Sequence, residues 1–235
     1  MTVDLLVDEG GVRACPGVRL RRAGLRDGET AVVDRTRVTT PARTALDLAR
    51  WLPRGEAVVV VDALLRVTGT ELDAVRAVAD AHAGERDVRR AAEALAWVDP
   101  RSPTARVSRV RVGLLARGLE TPLVAQRLLD GDGRPVAELA LAWPGVRTGV
   151  AHQQGVRGAA AALGWEVLEV RADVAEVWGT RNAPAPIDVL ARELRRAADR
   201  WHPAPRLGGR NPARLPRPPG PDGECDGGLS RLVPA

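Results

Sequence analysis

A chain of 235 residues is about one and a half ordinary domains long. It is 45% hydrophobic and 28% charged, the balance of a folded protein rather than a disordered one. It has no Lys, Phe or Tyr, so all 35 basic side chains are Arg and six Trp supply every aromatic ring. That removes a P-loop, which needs Lys on the phosphates, Schiff-base chemistry, which needs a Lys amine, and the Phe/Tyr stacking platform of an RNA-recognition motif. The net charge of +5 rests on Arg, which does not titrate in the physiological range.

Cys15 and Cys225 are too far apart in sequence to read as a disulfide framework or a metal-ligand pair, so a reducing cytoplasm is the expected compartment. The opening MTVDLLVDEG carries acid where a signal peptide carries base. The apolar run at 57–65 is broken by Asp62 and is far short of the ~20 residues a membrane span requires, so no membrane partner is expected.

In chain order, 2–7, 18–22 and 30–33 read as short strands, punctuated by Gly10-Gly11, Pro16-Gly17 and Asp27-Gly28. At Thr40 the period changes. Thr40 suits an N-cap and Pro41 the first helical position, where its missing N–H is no loss. Four helices are expected: one from Thr40 to about residue 52, then 55–66, one opening at Thr70 with Asp73 as a capping-box partner, and 85–97. A fifth helix, from Ser102-Pro103 to about 117, precedes apolar runs at 123–129, 136–142 and 146–151. Asp130-Gly131-Asp132-Gly133 and Pro144-Gly145 separate these runs as turns, which predicts a strand meander. A short helix at 158–163, a strand at 165–170 and an amphipathic helix at 186–201 complete the pattern. The fold class read from this order is α/β: short N-terminal strands with a helical region at 1–99, then an α/β domain around a small mixed sheet at 100–201. The closing stretch, 202–235, holds eight of the 18 prolines and six of the 24 glycines and reads as a disordered tail.

Two stretches are basic without compensating acid. One contains Arg13, Arg19, Arg21, Arg22 and Arg26, the other Arg101, Arg106, Arg109, Arg111 and Arg117. Uncompensated Arg on one element is the footprint of phosphate contact, and equally that of a solvated face. Arg106 and Arg109 fall one helical turn apart, within reach of neighbouring phosphates. Of the three histidines, His82 reads as a surface residue at a helix end. His202 borders the tail, and His152 sits beside Gln153-Gln154 at a strand end. None has a second ligand at metal-binding spacing, so no metal site is expected.

Two motifs carry a resemblance. The string VTTPARTALDLA at 38–49 resembles the T-x-P-x-R-T-x-x-D-L-A signature of AbiEi-like antitoxin regulators. The strings GLETP at 118–122, GRPVAELALAWP at 133–144 and LGWEVL at 163–168 resemble the very-short-patch-repair-like endonuclease domain, of the PD-(D/E)xK restriction type, that is often fused behind such regulators. The resemblance implies a restriction-endonuclease-like fold for 100–201 and DNA or a toxin-like protein as partner. It also implies a winged helix ahead of the first motif, and residues 1–40 supply no recognition helix.

The chemistry implied by the resemblance needs clustered carboxylates to hold Mg²⁺ beside a phosphate. The chain departs from it systematically. Ala105 follows Ser102-Pro103-Thr104 where the family has Glu, Ala140 stands where the family has Asp, and Ala151-His152-Gln153-Gln154 replaces Glu-x-Asp-Gly. The expectation is therefore a nuclease-like fold without nuclease activity or cofactor. Such a protein would bind nucleic acid weakly through Arg106, Arg109, Arg111, Arg19, Arg21 and Arg22, or act as an antitoxin-type partner. The competing reading is a divergent Mg²⁺-dependent endonuclease with relocated groups, Glu138 standing in for the missing acid, Glu166 and His152 beside it. A decayed product without activity fits the same losses.

Overall fold

Why the chain turns helical at residue 40 is visible in the first turn. Thr40 accepts a hydrogen bond from the Arg43 N–H, and Pro41 opens α1 (Pro41–Trp51), as its fixed φ favours. The computed structural model describes residues 3–7, 13, 15–151, 155–169 and 186–201. Helix α1 packs against α2 (Arg54–Thr68), α3 (Leu72–Ala81) and α4 (Val88–Leu95). Their shared core holds Leu46, Val58, Val61, Leu65, Val75 and Leu95, all at most 2% exposed. The four consecutive Val of α2 stay helical because burial of Val58, Val59 and Val61 outweighs the modest β-branched penalty. Helix α3 begins later than Thr70 suggests. Its flanking Glu71 makes no capping bond, and the Thr68 hydroxyl donates to Thr70 instead.

Ahead of the helices, β1 (Val3–Val7) pairs parallel with β2 (Val18–Arg22). A separate antiparallel hairpin joins β3 (Thr30–Val33) to β4 (Thr36–Thr39). Strand β4 is not marked in the sequence by glycine. Its turn is Asp34-Arg35, with φ 46° and 64°, the left-handed pair that two-residue hairpins require and that Asp tolerates better than most residues.

The second half follows the expected order. Helix α5 (Ala105–Ala116), capped by Thr104, leads into β5 (Leu123–Leu129), β6 (Pro135–Trp143) and β7 (Thr148–Ala151). Then come α6 (Val156–Ala162), β8 (Glu166–Glu169) and α7 (Pro186–Trp201). The four strands lie in the order β5-β6-β7-β8, the first two pairings antiparallel and the last parallel. This is a small mixed sheet in an α/β chain. The Asp-Gly-Asp-Gly run is the hairpin turn expected of it: the Asp130 carboxylate accepts the N–H groups of Asp132 and Arg134, both at 2.9 Å. The third strand starts two residues late because Pro144–Val146 makes one tight 3₁₀ turn.

The sheet has a core on each face. Val107, Val110, Leu114, Ile187 and Leu194 of α5 and α7 pack with Val124, Ala140, Leu141 and Val150, while α6 covers Leu128, Leu139, Ala142 and Val167. Strict alternation cannot place Leu139 with Ala142, or Val124 opposite to Leu128. Both strands slip at one level: Ala125 and Ala140 drop out of the pairing, and Ala125 sits at φ 53°. The paired slip exchanges the faces of both strands without changing their register. Gly149 is required next to it, since a Cβ there would lie 2.5 Å from Leu139 Cδ1.

Helix α5 belongs to both halves. Val112 joins the core of α1–α4, whereas Val107, Val110 and Leu114 join the sheet core. The expected boundary at 99/100 thus falls just ahead of a helix that packs in both directions. The expected tail lies outside the described residues. Among the described residues no helix is long and apolar enough to cross a membrane.

Candidate functional site

The T-x-P-x-R-T-x-x-D-L-A segment builds a buried charge network. Four residues apart on α1, Arg43 and Asp47 share a face, and that face is turned inward: they are 0% and 2% exposed. Arg43 Nε donates to Asp47 Oδ2 at 3.0 Å, and its Nη1 donates to the Gly24 carbonyl at 2.8 Å and to the Glu29 carboxylate. Glu29 also accepts the Arg26 N–H at 3.0 Å. Its second oxygen lies 2.5 Å from His82 Nε2, and the other ring nitrogen, Nδ1, lies 2.6 Å from Glu85 Oε1. Arg50 reaches Glu85 from the far side at 3.4 Å. Both ring nitrogens of His82 thus lie against carboxylate oxygens, one from the loop at Glu29 and one from Glu85.

The environment divides these carboxyls. Burial works to raise Glu29, yet the Arg26 N–H, His82 and Arg43 outweigh it and hold the group below its ordinary value. Glu85 is lowered in the same way by His82 and Arg50 against a smaller burial. For Asp47 burial wins over Arg43 and the group is raised. Arg43 Nη2 and Asp47 Oδ1 are buried without a hydrogen-bond partner. The network clamps residues 24–29 to α1 and to the turn after α3. His82, expected on the surface, is 1% exposed, because a helix-end position is also where a ring can close over a neighbouring loop.

A second buried pair joins α2 to α5. Arg111, 2% exposed, donates to Asp62 Oδ2 at 2.6 Å, to Ser102 Oγ at 3.2 Å and to the Trp97 carbonyl, while Asp62 Oδ1 accepts the Asp99 N–H at 2.8 Å. Arg111 therefore leaves the phosphate-binding set: its guanidinium is consumed inside the protein.

The remaining predicted cations are dispersed. Arg106 and Arg109 are half-buried on α5. On β2, Arg21 lies 2.9 Å from Asp4 and stacks 4.4 Å from the Trp51 ring centre. Arg19 lies at the edge of ion-pair range from the same carboxylate, at 4.0 Å, and Arg22 is exposed.

Two of the relocated-nuclease residues, Glu138 and Glu166, do not converge. Ala140 is 0% exposed in the apolar core. Glu138 shares its face of the sheet but sits directly across from Arg127, at 3.6 Å. Glu166 binds Arg200 of α7 through both oxygens at 2.5 Å. In register, Glu166 faces Thr148 and Thr148 faces Trp143, five residues along β6 from Glu138. At about 3.3 Å per residue that is about 16 Å, beyond the reach of one ion. His152 lies outside the described residues. Glu138 and Glu166 do not share a Mg²⁺ site, and among the described residues no group of three or more His, Cys, Asp or Glu is placed to hold a metal. A cleft of about 200 Å³ opens beside Leu119, Trp143, Val146 and Leu194, with Glu120 and Arg195 in its lining.

The fold and these sites define an α/β protein: a helical layer fastened by two buried ion networks, continuous through one helix with a four-stranded mixed sheet. Among curated proteins the chain is similar to two from Mycobacterium tuberculosis: "Uncharacterized protein Rv2248" of strain ATCC 25618 / H37Rv and "Uncharacterized protein MT2308" of strain CDC 1551 / Oshkosh. Each is 30% identical over 155 residues, which is 65% of this chain and 56% of the relative. The chain thus spans little more than half the length of the curated relatives it matches. No protein-family model and no solved structure matches it.

Proposed function

We propose that the chain is a catalytically silent relative of the AbiEi-like regulator and endonuclease-like fusions it resembles, working by binding nucleic acid in the cytoplasm. The observation that carries the reading is Ala140. At the position where the resemblance calls for a metal-binding Asp there is a methyl group, fully buried against α5 and α7. Restoring a site there would need a carboxylate within a dry core, and Glu138 and Glu166 are each held by an Arg instead. What supports nucleic acid as the ligand is the surplus of Arg on α5 and on the N-terminal strands, in a protein whose cations are all of the type that pairs with phosphate in a planar fork.

Arg109 is the residue on α5 to test first, with Arg106 one turn before it. Charge reversal at both is expected to weaken binding to a labelled DNA duplex by at least tenfold at low salt and to flatten its salt dependence, measured by fluorescence anisotropy. Unchanged affinity would remove α5 from the interface.

A further inference from the structure

The hairpin β3–β4 is the most exposed regular element of the N-terminal region: every residue from 31 to 38 is exposed. Its Val32 and Val33 are 73% and 54% exposed. Its root, by contrast, is fastened. The Thr40 N–H donates to the Glu29 carbonyl at 2.9 Å, and the Thr39 and Thr44 hydroxyls lie 2.6 Å apart. Glu29 is itself locked by Arg43 and His82. A short antiparallel ribbon thus stands out from a buried charge clamp.

The ribbon carries Arg35 and Arg37 against Asp34. Register places Arg37 opposite Val32 and on the face of Thr30 and Thr39, and its Nε donates to Thr30 Oγ1 at 3.2 Å while the residue stays exposed. Arg35 occupies the tip of the turn. Over residues 11–40 there are seven Arg against Asp27, Glu29 and Asp34, and Glu29 is buried in the clamp, so this segment carries a net positive charge. A two-stranded β-ribbon fits the major groove of B-form DNA, about 12 Å wide and 8.5 Å deep. Exposed valines there meet thymine methyls as readily as they would meet protein.

We propose that the β3–β4 hairpin is a β-ribbon that enters the major groove of duplex DNA, with Arg35 and Arg37 on phosphates or base edges and Val32 as an apolar contact. The inference rests on the nucleic-acid reading above and adds the element that reaches the groove.

The test compares the full chain with an Arg35→Ala/Arg37→Ala variant on one DNA duplex, the RNA duplex of the same sequence and a single strand. An Arg89→Ala/Arg157→Ala variant, which removes the same charge from exposed sites on α4 and α6, is the control. The hairpin variant is expected to bind the DNA duplex at least about tenfold more weakly at 0.1 M salt, with a log–log salt slope shallower by about 1.8, while the control keeps the parent slope. The RNA duplex, whose major groove is too narrow for a ribbon, is expected to bind more weakly than DNA. A hairpin variant that binds like the parent overturns the proposal and leaves the broader nucleic-acid reading standing. Equal affinity for RNA duplex or single strand overturns groove entry. No binding by the parent chain overturns both. Self-association of the parent that Val32→Thr/Val33→Thr abolishes would give the ribbon to a second copy and overturn the proposal as well.

Discussion

Replacing Asp62 with Ala is expected to lower the free energy of unfolding by about 3–5 kcal/mol, read from urea denaturation at pH 7. Asp62 is 0% exposed and Arg111 2%, so the substitution leaves a buried guanidinium with Ser102 Oγ, the Trp97 carbonyl and the weaker attraction of Asp99. The Asp99 N–H loses its acceptor at the same time. The lost attraction is the smaller part of the effect. Most of it is the desolvation of a charge left without its counter-ion. This separates single from double replacement: Asp62→Leu with Arg111→Met removes both charges, and it is expected to recover most of the loss. A double variant as unstable as Asp62→Ala would mean that the pair contributes through its neutral hydrogen bonds rather than through charge.

Arg43→Ala is the second large effect, again about 3–5 kcal/mol, and it carries a distinctive pH signature. In the native chain Glu29 and Glu85 titrate below the ordinary 4.5 of a free Glu. The folded state then binds fewer protons than the unfolded state in that range. Stability from these groups is fully present above about 4.5 and is lost as the pH falls through their lowered values. Asp47, raised by burial, opposes this, favouring the folded state as its carboxyl takes up a proton. Removing Arg43 leaves Glu29 and Asp47 buried with no shared cation. Both then shift upward, so Arg43→Ala is expected to gain more stability between pH 7 and pH 5 than the parent, in which the raised Asp47 and Asp62 already favour the folded state as pH falls. Urea midpoints at the two pH values test this. An equal response of parent and variant would show that the clamp is held by packing alone.

How far the sequence discloses this protein depends on the range of the interactions involved. Local signals carry well. Thr40-Pro41 opens a helix, Asp130 folds a hairpin, and the amphipathic stripe with Ile187, Leu190, Leu194 and Ala197 forms α7, because each rests on contacts within a few residues. Arg43 and Asp47 are likewise visible as an i, i+4 pair in a motif. Their partners are not. Glu29 and His82 lie 14 and 39 residues from Arg43, and nothing in the local pattern marks either as buried. Arg111 shows the same failure from the other side: on an Arg-rich helix it reads as one more phosphate ligand, and only its partner 49 residues upstream shows that it faces inward. The alternation rule fails at Ala125 and Ala140 because two strands slip together, an event with no single-residue signature. Strand β4 escapes notice because its turn uses Asp-Arg rather than Asn-Gly.

The central claim, a nuclease-like scaffold that binds nucleic acid without cutting it, meets its most direct test in one titration. The full chain is added to labelled duplex DNA over a range of salt concentrations, with and without Mn²⁺, and both anisotropy and strand length are followed. The expected result is binding whose log affinity falls linearly with log salt and a duplex that stays intact in Mn²⁺. Cleavage in Mn²⁺ that Glu138→Gln abolishes would contradict it.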